Sequence, residues 1–420
     1  MHYGIVSLST KGVNIHMASG KKGGSKVIIS AQTLITGDGK TVLKDSGVLI
    51  TGSKIAAIGK TADLLKAYPS QQHIDYGAAT ILPGLIDMHV HLGFYAGRQD
   101  EKLYNDHLTA YLAQNDARRF LLNGVTTLRD VASPNGLCRH LTLAAAKGFV
   151  QVPRIFYCNQ ALVISGGIDW NLPTTFQVDG PEEVRKAVRE QVKTGATWIK
   201  AMADCRTHGL SDFDQDELNM IVKESHRRGC KAVAHANMQP ALQMCIEAGF
   251  DTIEHACHLT VSQAEQMAGQ GLAIVSTFFV YDRLYSLMKE EEARSGLLYK
   301  NQKEIAAFGG NVEAYLKNYP EIYKTGVTIL AGTDCPFDGL EHITVAWELE
   351  CMVKCGMTPV QAIAAATSSP AKVLGMEGEI GILAADAIAD ILVAEADADK
   401  SISALKQVKD VYLDGIRIRN

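Results

Sequence analysis

Between residues 83 and 373, short Val/Ile/Thr-rich segments alternate with stretches whose apolar residues fall three and four apart. That alternation is the signature of βαβ units on a parallel sheet. Eight strands are predicted: Leu85 to His91, Thr126 to Val131, Arg154 to Leu162, Trp198 to Ala201, Ala232 to His235, Thr252 to His255, Ala273 to Thr277 and Thr328 to Asp334. Eight is the number that closes a parallel barrel. Two of the helices between them are legible in detail. The segment from Gly180 carries Glu182 and Glu183 in its first turn and Gly195 near its end. The segment from Asp214 opens on an Asp cap and stops at Arg227, Arg228 and Gly229. Outside this region both chain ends are β-rich. Val27 to Gly59 reads as strands and turns, and near the C-terminus Asp414-Gly415 marks a hairpin turn. The expected fold class is therefore α/β: a (β/α)₈ TIM-like barrel over 83–373 and a small β-sandwich domain composed of 27–82 and 374–420. Residues 1–26, ending in a Lys/Gly-rich run, are expected to form a loose, disordered leader.

Composition narrows the partners. Hydrophobic residues make up 47% and charged residues 21% of the 420, which excludes a disordered or fibrous chain. With 41 basic and 46 acidic residues the net charge is −5, so no basic excess points to nucleic acid or an anionic membrane. No apolar run approaches the ~18 residues that cross a bilayer. A small-molecule substrate and a homo-oligomer are expected. The nine cysteines include no CxxC pair, which argues against a zinc ribbon, a thioredoxin-type site or a disulfide scaffold. Reduced thiols in a cytoplasm fit better, with Cys351 and Cys355 packing on a helix.

The sharpest local feature is Gly84-Leu85-Ile86-Asp87-Met88-His89-Val90-His91. In a strand, positions i and i+2 share a face, so His89 and His91 can offer two imidazoles to one metal. An isolated HxH is a weak signal. It gains force because Lys200 follows the fourth predicted strand, His235 and His255 end the fifth and sixth, and Asp334 ends the eighth. In this fold, catalytic groups come from the C-terminal ends of several strands and converge over the barrel mouth.

These residues resemble the metal-dependent amidohydrolase superfamily. The segments AHANMQPALQMCIEAGFDTIEHA, LAGTD and MTPVQAIAAATSSPAKVLG are similar to its imidazolonepropionase-like and Xaa-Pro or Xaa-Arg dipeptidase-like branch, and the likeness runs from about Val27 to the C-terminus. The resemblance implies two divalent metal ions, Zn²⁺ foremost. His89, His91 and Asp334 would hold one, His235 and His255 the other, and a CO₂-derived carbamate on Lys200 would bridge them. It further implies a zinc-dependent hydrolase of a C–N bond, by attack of a hydroxide with Asp334 as the catalytic base and acid. A lysine at a strand end more commonly pairs with a carboxylate or reaches solvent.

The expected substrate is a dipeptide or an N-acyl amino acid, with a cyclic amide such as an imidazolone as the alternative. An aminohydrolase (deaminase) is a weaker alternative, because Met238 stands where those relatives place a Glu. A degenerate scaffold barrel is disfavoured by six competent ligand positions. His140, Tyr281 and Arg283 are candidate substrate-binding residues, Arg283 as a bidentate partner for a carboxylate. Ile168 stands where many relatives have His, and Trp170, Phe278 and Phe279 are candidates for an apolar wall. His258 is a candidate supporting group. The remaining histidines, His2, His16, His73, His107, His208, His226 and His342, are read as surface or capping residues.

Overall fold

A computed structural model describes residues 26–94, 105–205, 208–296, 302–336 and 344–418. The leader expected over 1–26 therefore lies, but for Lys26, outside the described residues, as do His2, His16 and His342.

All eight expected strands are present: β1 (Leu85–Val90), β2 (Val125–Asp130), β3 (Arg154–Tyr157), β4 (Trp198–Met202), β5 (Lys231–Ala236), β6 (Thr252–His255), β7 (Ala273–Ser276) and β8 (Thr328–Ala331). They run parallel, β1 with β2, β2 with β3, and β4 through β8 in order. Thr197 N–H donates to Tyr157 O across β3 and β4, and Asp334 N–H to His89 O closes β8 onto β1. The strands thus form a ring with helices between them, an α/β architecture of parallel sheets.

Two strands end three or more residues earlier than the sequence suggests. The third stops at Tyr157 and pairing resumes only at Ala161–Val163, because Asn159 adopts φ 60°, outside the extended region. The eighth stops at Ala331, and Asp334 takes φ 57° three residues on. The two legible helices are found as expected. Gly180–Lys193 follows Asp179, and Gln215–Arg227 starts on a capping box between Asp214 and Glu217.

Strands from both chain ends join in one eight-stranded sheet, in which Thr80–Pro83 pairs antiparallel with Ile391–Ala394. Ile29, Leu34, Val48, Ile81, Ile391 and Tyr412 pack together as a core of its own. The sheet is tied to the base of the barrel by Arg154, at the start of β3, which pairs with Asp390 at 2.8 Å and Asp414 at 3.1 Å.

Cys351 and Cys355 are buried in the main core, as read from the sequence. The helix Phe278–Ser295 following β7 has an unusual start. Its N-cap residue Thr277 makes no cap hydrogen bond, because its Oγ1 lies 2.6 Å from His255 Nδ1. The helix N-terminus is satisfied instead from Ala346–Lys354, whose buried Glu348 accepts from Phe279 N–H at 2.8 Å and contacts Ser276 Oγ. Burial pushes the Glu348 carboxyl up to about 7, against the hydrogen bonds from Phe279 and Ser276.

Two outcomes follow. A Cβ on Gly332 would meet His89 Cβ at 2.6 Å and Val275 Cγ1 at 2.8 Å. Gly332→Ala should therefore cost about 1–3 kcal/mol, read as a lower urea midpoint. An unchanged midpoint would show that the strand ends can separate. Glu348 has its folded pKa raised from 4.5 to about 7, so its protonated form contributes stability that is full below about pH 4.5 and lost as the pH rises through 7. Urea midpoints of the wild type should thus fall between pH 5 and 8 relative to Glu348→Gln. Parallel pH profiles would remove Glu348 as the source.

Candidate metal centre

His89 and His91 leave β1 on one face and meet at one point. Nδ1 of His89 is 2.6 Å from Glu254 Oε2, and Nδ1 of His91 is 3.2 Å from the Ala132 carbonyl. Burial opposes ionisation of Glu254, but the Arg129 guanidinium and then His89 hold its carboxyl down at about 2. Both partners are thus acceptors only, so each Nδ1 carries the proton and each Nε2 presents a lone pair. The two Nε2 atoms stand 3.2 Å apart, and Asp334 Oδ1 lies 3.3 Å from the first and 3.1 Å from the second. Three electron-pair donors that face one another in this way call for a shared cation. Two imidazole nitrogens and a carboxylate oxygen are a donor set that suits a divalent ion of borderline hardness, so the residues fit a metal.

Lys200, His235 and His255 line the same cleft. Nε2 of His235 lies 3.3 Å from Asp204 Oδ1. Asp204 is held in turn by its other oxygen, which accepts from the Asn237 and Met238 N–H groups at 2.7 and 2.8 Å. The His255 ring centroid is 4.5 Å from that of His235 and 4.9 Å from that of His89. Burial, with His235 beside it, holds the His255 imidazole well below its ordinary pKa. Lys200 is 1% exposed, and among the described residues it has no ion-pair partner. Burial pulls its pKa down, against the attraction of Glu254 and Asp334.

Of the three substrate-binding candidates only Tyr281 reaches the cleft, where its hydroxyl accepts from Asn237 Nδ2 at 2.8 Å. Arg283 is two positions on and so about 200° around the helix. It pairs with Glu290 at 2.9 Å, away from the lining. His140 sits exposed on the helix Leu137–Ala146, a full turn past the loop that carries Ala132 to the cleft. Neither wall of the cleft uses Phe278, stacked on Tyr315, or Phe279, stacked on Trp347. Trp170 is half exposed, and Ile168 packs beside Ala132, Ala161 and Met202. His258 bonds to Asn311 at 3.1 Å, outside the cleft lining. His73 and His226 hold Ser30 and Asp251, both at 2.8 Å, in keeping with a surface role.

Glu254, Arg129 and Asp204 were missed from sequence. A signal existed for Glu254: with Thr252 it occupies the inward positions of β6, since both touch Arg129. Alternation would then turn His255 outward. Its φ of 68° breaks the alternation and brings the imidazole back to the cleft.

Residues 80–417 match the amidohydrolase family. The chain is 28% identical over 423 residues to ochratoxinase from Aspergillus niger, covering 91% of this chain and 84% of that protein. It is 23% identical to imidazolonepropionase from Streptomyces avermitilis, covering 90% and 88% respectively. Among solved structures, a Xaa-Pro dipeptidase with methionine bound in its active site superposes with a TM-score of 0.84 over 94% of this chain and 100% of that one, at 26% identity. With the family matched over most of its length and a His, His and Asp cluster at the ends of β1 and β8, the chain belongs to the amidohydrolase family and is a hydrolase of carbon–nitrogen bonds.

Proposed function

We propose that the chain cleaves a dipeptide or an N-acyl amino acid at a centre built for two divalent ions, zinc foremost. The observation that carries this reading is the convergence of His89 Nε2, His91 Nε2 and Asp334 Oδ1 within 3.1–3.3 Å while both Nδ1 atoms are committed elsewhere. His89, His91 and Asp334 would hold one ion and His235 with His255 the other. Bound there, the ions supply a nucleophile from water near neutral pH and polarise the scissile carbonyl.

Every remaining step belongs to the protein. As an ammonium, Lys200 would repel a cation. Its burial favours the neutral amine, which adds CO₂ to form an N–C bond with loss of one proton and so becomes an anionic oxygen donor. Asp334, ionised and partly open to the cleft, takes the proton of the attacking water and passes it to the leaving nitrogen. Glu254 fixes the tautomer of His89, and Asp204 lies beside His235 at 3.3 Å. Ring opening of a cyclic amide would use the same groups. Deamination lacks an acid at Met238, whose N–H is bound to Asp204.

We also propose the domain division 27–82 with 374–420, as a small β-sandwich, around a barrel of 83–373. Support comes from the sheet shared by both chain ends and its separate core. Eight of the nine cysteines are buried free thiols, which supports a reducing, cytoplasmic setting. No helix among the described residues is long and apolar enough to cross a membrane.

Asp334→Asn should lower kcat by about 10²–10⁴-fold while retaining most of the metal measured by plasma mass spectrometry. A near wild-type kcat would remove Asp334 as the base. The wild type should carry about two ions per chain and Lys200→Ala fewer. A wild-type protein saturating at one ion would point to a mononuclear centre. Glu254→Gln should weaken metal retention against a chelator by about 10- to 100-fold. Unchanged retention would leave Glu254 a purely structural partner of Arg129.

A further inference from the structure

The cleft wall formed by residues 164–175 carries charge of one sign. This loop is a series of tight turns: Gly167 N–H donates to Ile164 O, Trp170 to Gly167 and Leu172 to Asp169. Thr175 Oγ1 also donates to Asp169 O at 2.9 Å. Asp169 is thereby held from two sides at φ 55°, a left-handed position that Asp accepts more readily than most residues. It lines the same cleft as the metal-binding side chains, and its carboxylate has no hydrogen-bond or ion-pair partner among the described residues. Lys200 is the only Lys or Arg among the described lining residues, and Arg283 is paired with Glu290 outside it. The rest of the lining includes apolar side chains, Phe94, Ala132, Ala161 and Met202.

We infer that Asp169 selects substrates that bring a cationic nitrogen into the cleft, an ammonium or guanidinium on an aliphatic stem. This rests on the reading of the chain as a hydrolase of dipeptide-like amides and narrows it. An aliphatic stem matches the apolar lining, and the cation pairs with Asp169, the one carboxylate of the described lining without a partner among the described residues. Such a nitrogen has two sources in a dipeptide, a basic side chain or the free α-amino group.

The test uses the zinc-loaded full chain and matched substrates. Ala-Lys against Ala-norleucine probes a side-chain ammonium, and Ala-Leu against N-acetyl-Ala-Leu probes the α-ammonium. The cationic member of at least one pair should be preferred by about tenfold or more in kcat/KM, the worth of one charge-assisted hydrogen bond. In Asp169→Asn and Asp169→Gly, both compatible with a left-handed backbone, that ratio should fall towards one. A wild type without preference in either pair, or variants that keep it, would overturn the inference. Calorimetric titration with L-lysine, L-norleucine and N-acetyl-L-norleucine reads the same selectivity without turnover. Cation preference in binding that depends on Asp169, with no amide cleaved, would sustain Asp169 and defeat the hydrolase reading. Turnover without preference would do the reverse.

Discussion

Inside the barrel the Arg129 guanidinium joins three strands. Its Nε donates to Met88 O of β1 at 2.7 Å, Nη1 to Thr252 Oγ1 of β6 at 2.9 Å, and Nη2 to Glu254 Oε1 at 2.8 Å. Its carbon Cζ stands 4.5 Å over the Trp198 ring of β4. Glu254 then passes the constraint to His89 through a 2.6 Å hydrogen bond. A buried ion pair adds little over a well-packed apolar pair, but loss of one partner strands a charge and costs about 3–5 kcal/mol. The retention of Arg129 and Glu254 in the interior is thus understood through what they orient. Without an acceptor at Nδ1, His89 could present either nitrogen to the cleft, and the three-donor cluster with His91 and Asp334 would lose its geometry.

A second layer of buried carboxylates fixes the chain around the His89, His91 and Asp334 cluster. Asp87 accepts from Thr333 N–H and Oγ1, at 3.1 and 2.7 Å, and from His89 N–H at 3.1 Å. That joins the end of β8, where Asp334 departs, to the strand that carries the two histidines. Asp130 Oδ2 accepts from Leu92 N–H at 2.6 Å and fixes the chain just past His91. Burial pushes Asp87 to about 7 and Asp130 to about 6, against the hydrogen bonds they accept. These acids act on the centre through backbone N–H groups, a role distinct from that of Glu254 and Asp204, which touch imidazoles.

The barrel strands and the six cleft-lining positions His89, His91, Lys200, His235, His255 and Asp334 were legible because each leaves a local mark: a period of two, a helix-sized spacer, a titratable residue where the strand runs out. His89 and His91 could be placed on one face by counting. Arg129, Glu254 and Asp204 were not legible, because a charged residue inside a strand reads as a solvent-facing position unless its partner across the barrel is known. Glu254 meets Arg129 over 125 positions of sequence and His89 over 165. Helix phase explains why Tyr281 reaches the cleft and Arg283 does not, and that phase depends on where the helix begins. Its start at Phe278 is set by Glu348, some seventy residues away, which no local pattern announces.

Left-handed backbone recurs where side chains must be aimed at the cleft. His255, Asp334 and Asp169 have φ of 68°, 57° and 55°, and none is glycine. Such a conformation costs of order 1–3 kcal/mol and persists only where surrounding contacts hold it. At His255 the hold comes from the Thr277 contact and from Tyr319, whose hydroxyl donates to the His255 carbonyl at 3.0 Å. At Asp334 it comes from its own N–H bonded to His89 O at 2.8 Å. An extended chain at these points would carry the His255 and Asp334 side chains to the outer face of the ring, by the same alternation that brings His89 and His91 in. Glycine would relieve the strain but supply no imidazole or carboxylate. The fold therefore keeps the reactive residue types in an unfavourable conformation, and contacts from His89 on β1, from Thr277 just past β7 and from Tyr319 make this tolerable.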